Sequence, residues 1–378
     1  MPDPVNRRAF LGTLGTAAAL AACAPGAGSG ETEHVSSGTE PWQIEWDRIV
    51  KAAKEEGKLV LLSRPGAGYR TAMESFENAF PGITVEHTTM TSVEFLPRFT
   101  QERAAGIYNF DMLVSTFGPG NRSLIEQGAF DPIGPAIFRP DVIGDEFWYG
   151  GFQDGFVDRQ AKFAFGFINL RRRPIWINTS FVQDGEIKSG KDLLNPKWKG
   201  KIISADPRPQ GFGATAGTVL RLAMGDDVVK KFWKDQDVLL GKDYRPMMDS
   251  LIKGNYAIGF NAVNEALMTD YLAAGVGKNL KNIEVDDVDH VTIANETAYL
   301  VNNAPHPNAA KLFLNWLLTK EGQAVWCKYA ETNSRRTDVP VLREDMTMTP
   351  GKKYPRVDLE SFTIEIDRTQ QIALEVLN

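Results

Sequence analysis

Three loops rich in Gly, Pro, Ser or Thr contain the residues whose chemistry could bind a ligand. They span residues 63–69, 115–121 and 206–215. Small residues let a ligand approach backbone N–H groups, and a helix that starts in such a loop directs roughly half a positive charge at the ligand. Arg64 and Arg208 are basic, and Asp206 is the one carboxylate of the loops. The loops together predict a binding site, although each alone is also compatible with an ordinary strand-to-helix turn.

The candidate binding residues of these loops share a position directly after a predicted strand. They are Ser63, Arg64, Gly66, Tyr69, Ser115, Thr116, Arg208, Gln210, Gly211, Phe212, Gly213 and Thr215. In open parallel sheets, ligands bind beyond the carboxyl ends of the strands, where helix N-termini point. The elements around the loops must therefore bring them together.

Those elements alternate between strands and helices. Apolar periodicity and Gly or Pro stops predict strands at 58–63, 83–87, 111–115, 162–170, 201–205, 257–261 and 292–301. The same signals predict helices at 42–56, 69–80, 92–105, 213–224, 228–234 and 307–318. This alternation predicts an α/β protein with mostly parallel sheets and crossover helices.

The composition excludes several classes of protein. The chain has 378 residues, 42 Lys and Arg against 48 Asp and Glu, and a net charge of −6, so a nucleic-acid partner is not expected. Two cysteines exclude a disulfide framework, and the four histidines lack the short spacing of a zinc site. The length predicts two domains, and neither a metal nor another cofactor is expected.

A sequence that partly matches a dinucleotide-binding fingerprint follows the first predicted strand. Gly66 and Gly68 follow residues 59–62, and Glu86 ends the next strand. The third position of the motif is Thr71, where close packing of the helix on the strand requires Gly or Ala. An exported dinucleotide-dependent oxidoreductase stays open as an alternative. Because Gly-x-Ser-x-Gly, His-Glu-x-x-His, Walker and Cys-x-x-Cys motifs are all absent from the sequence, we do not expect an enzyme.

The N-terminal residues predict export. Paired arginines precede a short apolar run, which is typical of a twin-arginine signal, and Leu-Ala-Ala-Cys at 20–23 resembles a bacterial lipobox. We therefore predict a signal peptide at 1–22, a lipid on Cys23, and a flexible tether over 23–41. The folded part is expected to hang from a membrane in the periplasm, or at the cell surface where the envelope has no outer membrane.

Three stretches, in this order, resemble bacterial extracellular solute-binding proteins. They are residues 76–85 (FENAFPGITV), 192–211 (DLLNPKWKGKIISADPRPQG) and 305–323 (PHPNAAKLFLNWLLTKEGQ). Behind a lipobox, they make the chain similar to the substrate-binding proteins of ABC transporters, of the ferric-binding-like, two-lobed periplasmic type. The resemblance implies a type 2 periplasmic-binding-protein fold, in which two α/β lobes close on the ligand about a hinge.

The resemblance also divides the folded part into lobes. Lobe 1 is expected to comprise residues 42–157 and 288–318, and lobe 2 residues 158–287 and 319–378. A receptor of this type is expected to act as a monomer that captures a small solute and delivers it to a membrane ABC permease.

Ferric-binding relatives hold iron with two neighbouring tyrosines late in lobe 2 and a His or Glu from lobe 1, because Fe³⁺ prefers anionic oxygen donors. The matching stretch here, residues 258–265, has no tyrosine pair, and its Asn261 and Glu265 join the candidate binding residues. Because the tyrosine pair is missing, ferric iron is only an alternative ligand.

An anionic organic solute, either a carboxylate or a phosphate ester, is the preferred ligand. It would bind between Arg64, Ser115, Thr116 and the N–H groups of residues 211–215. A polyamine or thiamine would require several carboxylates or aromatic walls in the cleft.

Overall fold

The computed structural model describes residues 40–64, 68–209, 211–349 and 352–377. The predicted signal peptide, Cys23 and most of the predicted tether lie outside the described residues, as do Gly66 and Gln210. Within the described part, no helix combines the length and the hydropathy needed to cross a membrane.

Strands and helices alternate along the chain, as predicted. The strands of the described residues are β1 (Lys58–Ser63), β2 (Thr84–Thr89), β3 (Met112–Ser115), β4 (Phe130–Asp131), β5 (Phe165–Gly166), β6 (Ile168–Arg172), β7 (Ile175–Asn178), β8 (Ile202–Ala205), β9 (Leu239–Gly241), β10 (Ile258–Phe260), β11 (Leu280–Asn282), β12 (His290–Thr292), β13 (Thr297–Val301) and β14 (Asn333–Ser334). The α-helices are α1 (Pro41–Glu56), α2 (Tyr69–Ala79), α3 (Ser92–Ala104), α4 (Pro119–Glu126), α5 (Pro140–Ile143), α6 (Phe212–Met224), α7 (Asp226–Asp235), α8 (Tyr244–Ile252), α9 (Glu265–Ala273), α10 (Pro307–Leu317), α11 (Lys320–Ala330) and α12 (Glu360–Leu377).

Lobe 1 is built on a mixed sheet with the strand order β2-β1-β3-β13-β4, and β5 also pairs with β13. β1 is parallel to β2 and β3, whereas β13 is antiparallel to β3. Helices α1, α2, α10 and α11 share one hydrophobic core, and α3 and α4 contribute to a second core of the same lobe. The carboxyl ends of β1 and β3 therefore point the same way.

Lobe 2 is built on a second mixed sheet with the strand order β11-β7-β10-β8-β9. β8 is parallel to β10 and β9, and β7 is antiparallel to β10. Helices α6, α7 and α12 share a core in this lobe, and α8 and α9 pack around a smaller cluster.

The chain crosses between the lobes through a small antiparallel sheet with the order β12-β6-β14. β6 leads from β5 in lobe 1 to β7 in lobe 2, and β12 leads back to β13. The segment after β14 makes a third crossing. Its Arg356 forms a parallel β-bridge with Val291 of β12. The predicted α/β class and two-lobed architecture are confirmed.

The predicted lobe boundaries need correction at two places. Residues 158–166 were expected in lobe 2, but β5 pairs with β13 in lobe 1. The assignment of residues 319–378 to lobe 2 also needs correction. We expected this whole stretch in lobe 2, but α11 packs against α2 in lobe 1. Trp326 and Cys327 of α11 are fully buried in the lobe 1 core, and burial raises the pKa of the free Cys327 thiol. α12 packs against α6 and α7.

Candidate functional site

A cavity of about 290 Å³ lies between the lobes, against the crossing strands. Its walls come from the segments after β3 and before β13 in lobe 1, from β6 and β12, and from the starts of α6, α8 and α9 in lobe 2. The lining residues are Thr116, Phe117, Arg172, Arg173, Pro174, Trp176, Phe212, Thr215, Tyr244, Asn261, Val263, Asn264, Glu265, His290, Thr292, Ala294, Asn295, Val357 and Asp358. Hinge closure would enclose a ligand in such a cleft.

Arg172 and Glu265 form an ion pair in the cavity, with 2.8 Å between Nη1 and Oε2. Arg172 ends β6, and Glu265 begins α9, where a negative charge is favourable. Asn264 caps that helix by accepting a hydrogen bond from the Leu267 N–H at 3.0 Å. The two charges cancel, so this pair alone selects neither anions nor cations.

Arg173, in contrast, is bonded to a neutral group. Its Nη2 donates to the backbone carbonyl of Asp345 at 2.8 Å. The Asp345 carboxylate is already engaged by Arg343, with Nε–Oδ1 at 3.0 Å and Nη2–Oδ2 at 2.8 Å. Within the described residues, Arg173 therefore has no carboxylate within salt-bridge distance.

Asp358 and His290 also line the cavity. The Asp358 carboxylate pairs with Arg356, with 2.7 Å between Oδ1 and Nε, and accepts the Ile293 N–H at 2.8 Å. Burial lowers the pKa of His290 to about 4, so its imidazole is neutral at pH 7. Arg356 lies outside the lining and also pairs with Asp154. The charged lining residues are therefore balanced, Arg172 and Arg173 against Glu265 and Asp358, and Arg173 is the one that has no salt-bridge partner among the described residues.

The N-terminus of α6 reaches the cavity through Phe212 and Thr215. Gly211 precedes the helix with φ +132°, which L side chains rarely adopt. A Cβ on Gly213 would lie 2.0 Å from the Asp206 carbonyl oxygen, so only glycine lets α6 start this close to β8. Asn261 fixes the same turn, because its Nδ2 donates to the Phe212 carbonyl at 2.7 Å.

Aromatic rings form part of the lobe 2 wall. Such rings can also pack against a cation, as a polyamine or thiamine would require, so the sign of the solute charge depends on Arg173 and not on the rings. Phe212 stacks on Tyr244 with 4.2 Å between ring centroids and 22° between the planes. Burial, and next the nearby Glu265 carboxylate, raise the pKa of Tyr244 to about 12. Tyr244 is therefore a neutral phenol at pH 7.

Arg64 lies in lobe 1 outside the residues that line the cavity. Its Nη2 binds Glu296 Oε1 at 2.7 Å and donates to the Tyr69 hydroxyl at 2.8 Å. The Glu296 side chain, 1% exposed, also accepts hydrogen bonds from Tyr69 and the Trp326 indole. Arg64 was expected to pair with an anionic group of the ligand, but it pairs with the carboxylate of Glu296 instead. Tyr69 belongs to the same buried network.

Arg208 was also expected to contact the ligand, but it does not line the cavity and pairs with another residue of the protein. It forms a bidentate pair with Asp206, at 2.9 Å and 2.8 Å, and its Nη1 donates to the Leu377 carbonyl at 3.1 Å. The contact with Leu377 holds the end of α12 on lobe 2.

The other sequence-predicted residues divide into two groups. Thr116, Phe212, Thr215, Asn261 and Glu265 line the cavity, whereas Ser63, Ser115, Gly211 and Gly213 do not. Ser63 Oγ lies 2.7 Å from His87 Nε2, and Ser115 Oγ accepts a hydrogen bond from Asn121 at 3.0 Å. These two hydroxyls therefore contact side chains within lobe 1.

The sequence analysis missed the two arginines of the cavity, as well as Trp176 and Tyr244. Arg172 and Arg173 belong to a run of three arginines directly after the predicted strand at 162–170. The same rule that picked the three loops, polar residues beyond the end of a strand, could have found them.

The described residues contain no group of three or more His, Cys, Asp or Glu side chains arranged to hold a metal ion. The cavity offers a hard cation one phenol, Tyr244, and the carboxylates Glu265 and Asp358, both paired with arginines.

Comparison with known proteins agrees with the fold. Residues 61–324 match the sequence model of the bacterial extracellular solute-binding proteins. A search of curated protein sequences gave no match.

Solved structures of similar fold include three iron-binding proteins. Ferric iron-binding protein A of Mannheimia haemolytica, in an open conformation, is 14% identical with a TM-score of 0.63, covering 85% of this chain and 98% of its own. A Bordetella ferric binding protein is 16% identical with a TM-score of 0.64, covering 84% and 98%. The Trichodesmium protein FutA (IdiA), with iron and citrate, is 18% identical with a TM-score of 0.60, covering 84% and 99%. The predicted two-lobed periplasmic-binding-protein fold is confirmed.

Proposed function

The chain belongs to the bacterial extracellular solute-binding protein family, and from this premise we propose that it captures a small anionic organic solute in the cleft between its lobes. Members of this family are the substrate receptors of ABC importers and act outside the cytoplasmic membrane, so an ABC permease is the partner. The proposed solute is a carboxylate or a phosphate ester.

One observation supports an anionic solute above all others. Arg173 is a guanidinium in the cleft whose described acceptor is a carbonyl, while the other charged residues of the cavity are paired. Closure around a neutral or cationic solute would desolvate that charge without compensation, whereas an anion would form a charge-assisted hydrogen bond with it. The N-terminus of α6 favours the same sign of charge.

Ferric iron, which similar structures bind, is less well supported by the donors in this cleft. A ferric site requires anionic oxygen donors, and the raised pKa of Tyr244 disfavours its phenolate. We therefore treat iron as an outcome of the test and do not propose it as the ligand.

The proposal includes the attachment of the receptor to a membrane. Export by a twin-arginine signal and lipidation of Cys23 follow from the sequence motifs and would place the folded part on a tether. We further propose that the receptor acts as a monomer and without catalysis.

Native mass spectrometry of the protein purified without added ligand tests the proposal. We expect a retained organic anion that is lost from Arg173→Gln. Arg159→Gln, which changes an exposed arginine outside the cavity, is the matched control and should retain the anion. A retained ferric ion or polyamine, or an anion held equally by Arg173→Gln, would overturn the anionic-solute proposal.

A further inference from the structure

Aromatic side chains from both lobes line the cavity. Phe117, which follows β3, belongs to lobe 1, and Trp176, Phe212 and Tyr244 belong to lobe 2. Hinge closure brings the two lobes together, so a ligand in this cavity would have aromatic surface on both sides.

These rings are anchored on the interior of their own lobes. Phe117 packs against the lobe 1 core, and Trp176 and Tyr244 pack against the smaller cluster of lobe 2. Phe212 stacks on Tyr244 and is 37% exposed, although it lies at the start of a helix that is otherwise largely buried. The Phe212 ring is thus partly exposed to solvent at the cavity, a position at which a polar side chain would be better solvated.

We infer that the solute is a small aryl carboxylate whose ring stacks on Phe212 and whose carboxylate faces Arg173. This inference rests on the proposed function, because it concerns the same cavity and narrows the anionic solute to one chemical class. Aromatic pairs favour stacked or edge-to-face contacts, which a flat ring can make and a saturated one cannot.

The charge of the cavity favours a carboxylate over a phosphate ester. The charged lining residues balance in number, and Arg173 is the one guanidinium among them without a carboxylate at salt-bridge distance in the described part of the chain, so the cavity offers an anion one unpaired positive group. A carboxylate carries one negative charge, whereas a phosphate monoester carries about −1.5 to −2 at pH 7 and would bring excess negative charge into a closed cleft.

The volume sets the size of the solute. The cavity measures about 290 Å³. This is the lower end of the range for ligand pockets, which suits an acid with one or two rings.

Calorimetric titration with a matched pair of acids tests the inference. Phenylacetate and cyclohexylacetate carry the same carboxylate, and their rings differ in flatness and π character. We expect phenylacetate to bind about 2- to 13-fold more tightly, the range given by one aromatic pair. Equal binding, tighter binding of cyclohexylacetate, or binding of neither acid would overturn the aryl inference.

Variants show whether Phe212 makes the contact. Phe212→Leu keeps an apolar side chain and should remove most of the preference for phenylacetate, while Phe212→Tyr should retain it. Phe181→Leu is the matched control, since Phe181 is an exposed phenylalanine of lobe 2 that does not line the cavity. If Phe212→Leu weakens both acids equally, the ring serves closure of the lobes and the inference fails.

The two proposals fail separately. If cyclohexylacetate binds as well as phenylacetate and Arg173→Gln weakens both, the anionic-solute receptor stands and the aryl class is wrong. If Arg173→Gln leaves the binding of both acids unchanged, the anion site itself is wrong.

Discussion

Arg64 and Glu296, which are 232 residues apart in sequence, form an ion pair inside lobe 1. Glu296 lies just before β13, next to cavity-lining Asn295, and Arg64 follows β1. The pair therefore links two strand ends at the edge of the cleft. It makes Arg64 a structural residue, whereas its sequence position suggested contact with the ligand.

Replacing Arg64 should affect stability more than binding. Arg64→Ala leaves the buried Glu296 carboxylate without its cation, which we expect to cost about 1–3 kcal/mol of unfolding free energy. The 39% exposure of Arg64 keeps this below the value for a fully buried pair. Affinity for phenylacetate should change by less than about threefold, because the side chain does not line the cavity. Urea denaturation and calorimetry measure the two quantities.

A double variant provides the control. Adding Glu296→Gln to Arg64→Ala removes the unpaired charge, so the two substitutions should be non-additive. A large loss of affinity at unchanged stability would return Arg64 to the binding site.

Glu265→Gln should strengthen the binding of an anion. The substitution removes the carboxylate that neutralises Arg172 and frees a second guanidinium in the cavity. We expect phenylacetate to bind about fivefold more tightly, or ~1 kcal/mol, a modest value because both side chains are partly solvated. Glu126→Gln, an exposed change on α4, is the control. Weaker binding by Glu265→Gln alone would show that Glu265 itself contacts the solute.

The elements predicted from the sequence are those with local signals. β1, α2, β2, α3 and β3 succeed one another with apolar periods and Gly or Pro stops, which depend only on neighbouring residues. β7 and β12 were missed or merged with neighbouring strands, because their pairing crosses between distant parts of the chain. The site depends on the same crossings. The strand-end rule could have selected Arg172 and Arg173 as candidates, but only the folded protein shows that they line the cavity with residues from both lobes.

The protonation of His290 should make stability depend on pH. Its pKa is about 4 in the folded protein, because burial disfavours the charged form, and about 6.5 when unfolded. As the pH falls below about 6.5, the unfolded state takes up a proton that the folded state binds only near pH 4. Stability present above pH 6.5 is therefore lost toward pH 4, by about 3 kcal/mol in total.

Comparison with a variant isolates this contribution. The unfolding free energy of wild type minus that of His290→Gln should decrease from pH 7 to pH 4, whatever the neighbouring acids contribute to both proteins. A difference that is constant with pH would show that His290 is protonated equally in the folded and unfolded states.

Cys23→Ser tests the lipid anchor. If Cys23 carries the lipid, the variant should move from the membrane fraction to the soluble periplasmic fraction, since the thiol is the attachment point. Phenylacetate affinity should be unchanged, because the described residues that line the cavity all come from the two lobes. Cys327→Ser is the matched control for loss of a cysteine and should stay in the membrane fraction. Retention of Cys23→Ser there would refute the lipobox prediction.

The C-terminal helix should stabilise lobe 2 through one face only. No element was predicted for residues 345–378, because their apolar positions are scattered, yet α12 packs against α6 and α7. Ile372 is 6% exposed in the lobe 2 core, whereas Ile364 of the same helix is 70% exposed. Ile372→Ala removes buried methyl groups and should cost about 2–5 kcal/mol, while Ile364→Ala should stay within about 0.5 kcal/mol. Chemical denaturation distinguishes the two variants, and equal effects would mean that α12 does not dock on lobe 2 as the structure shows.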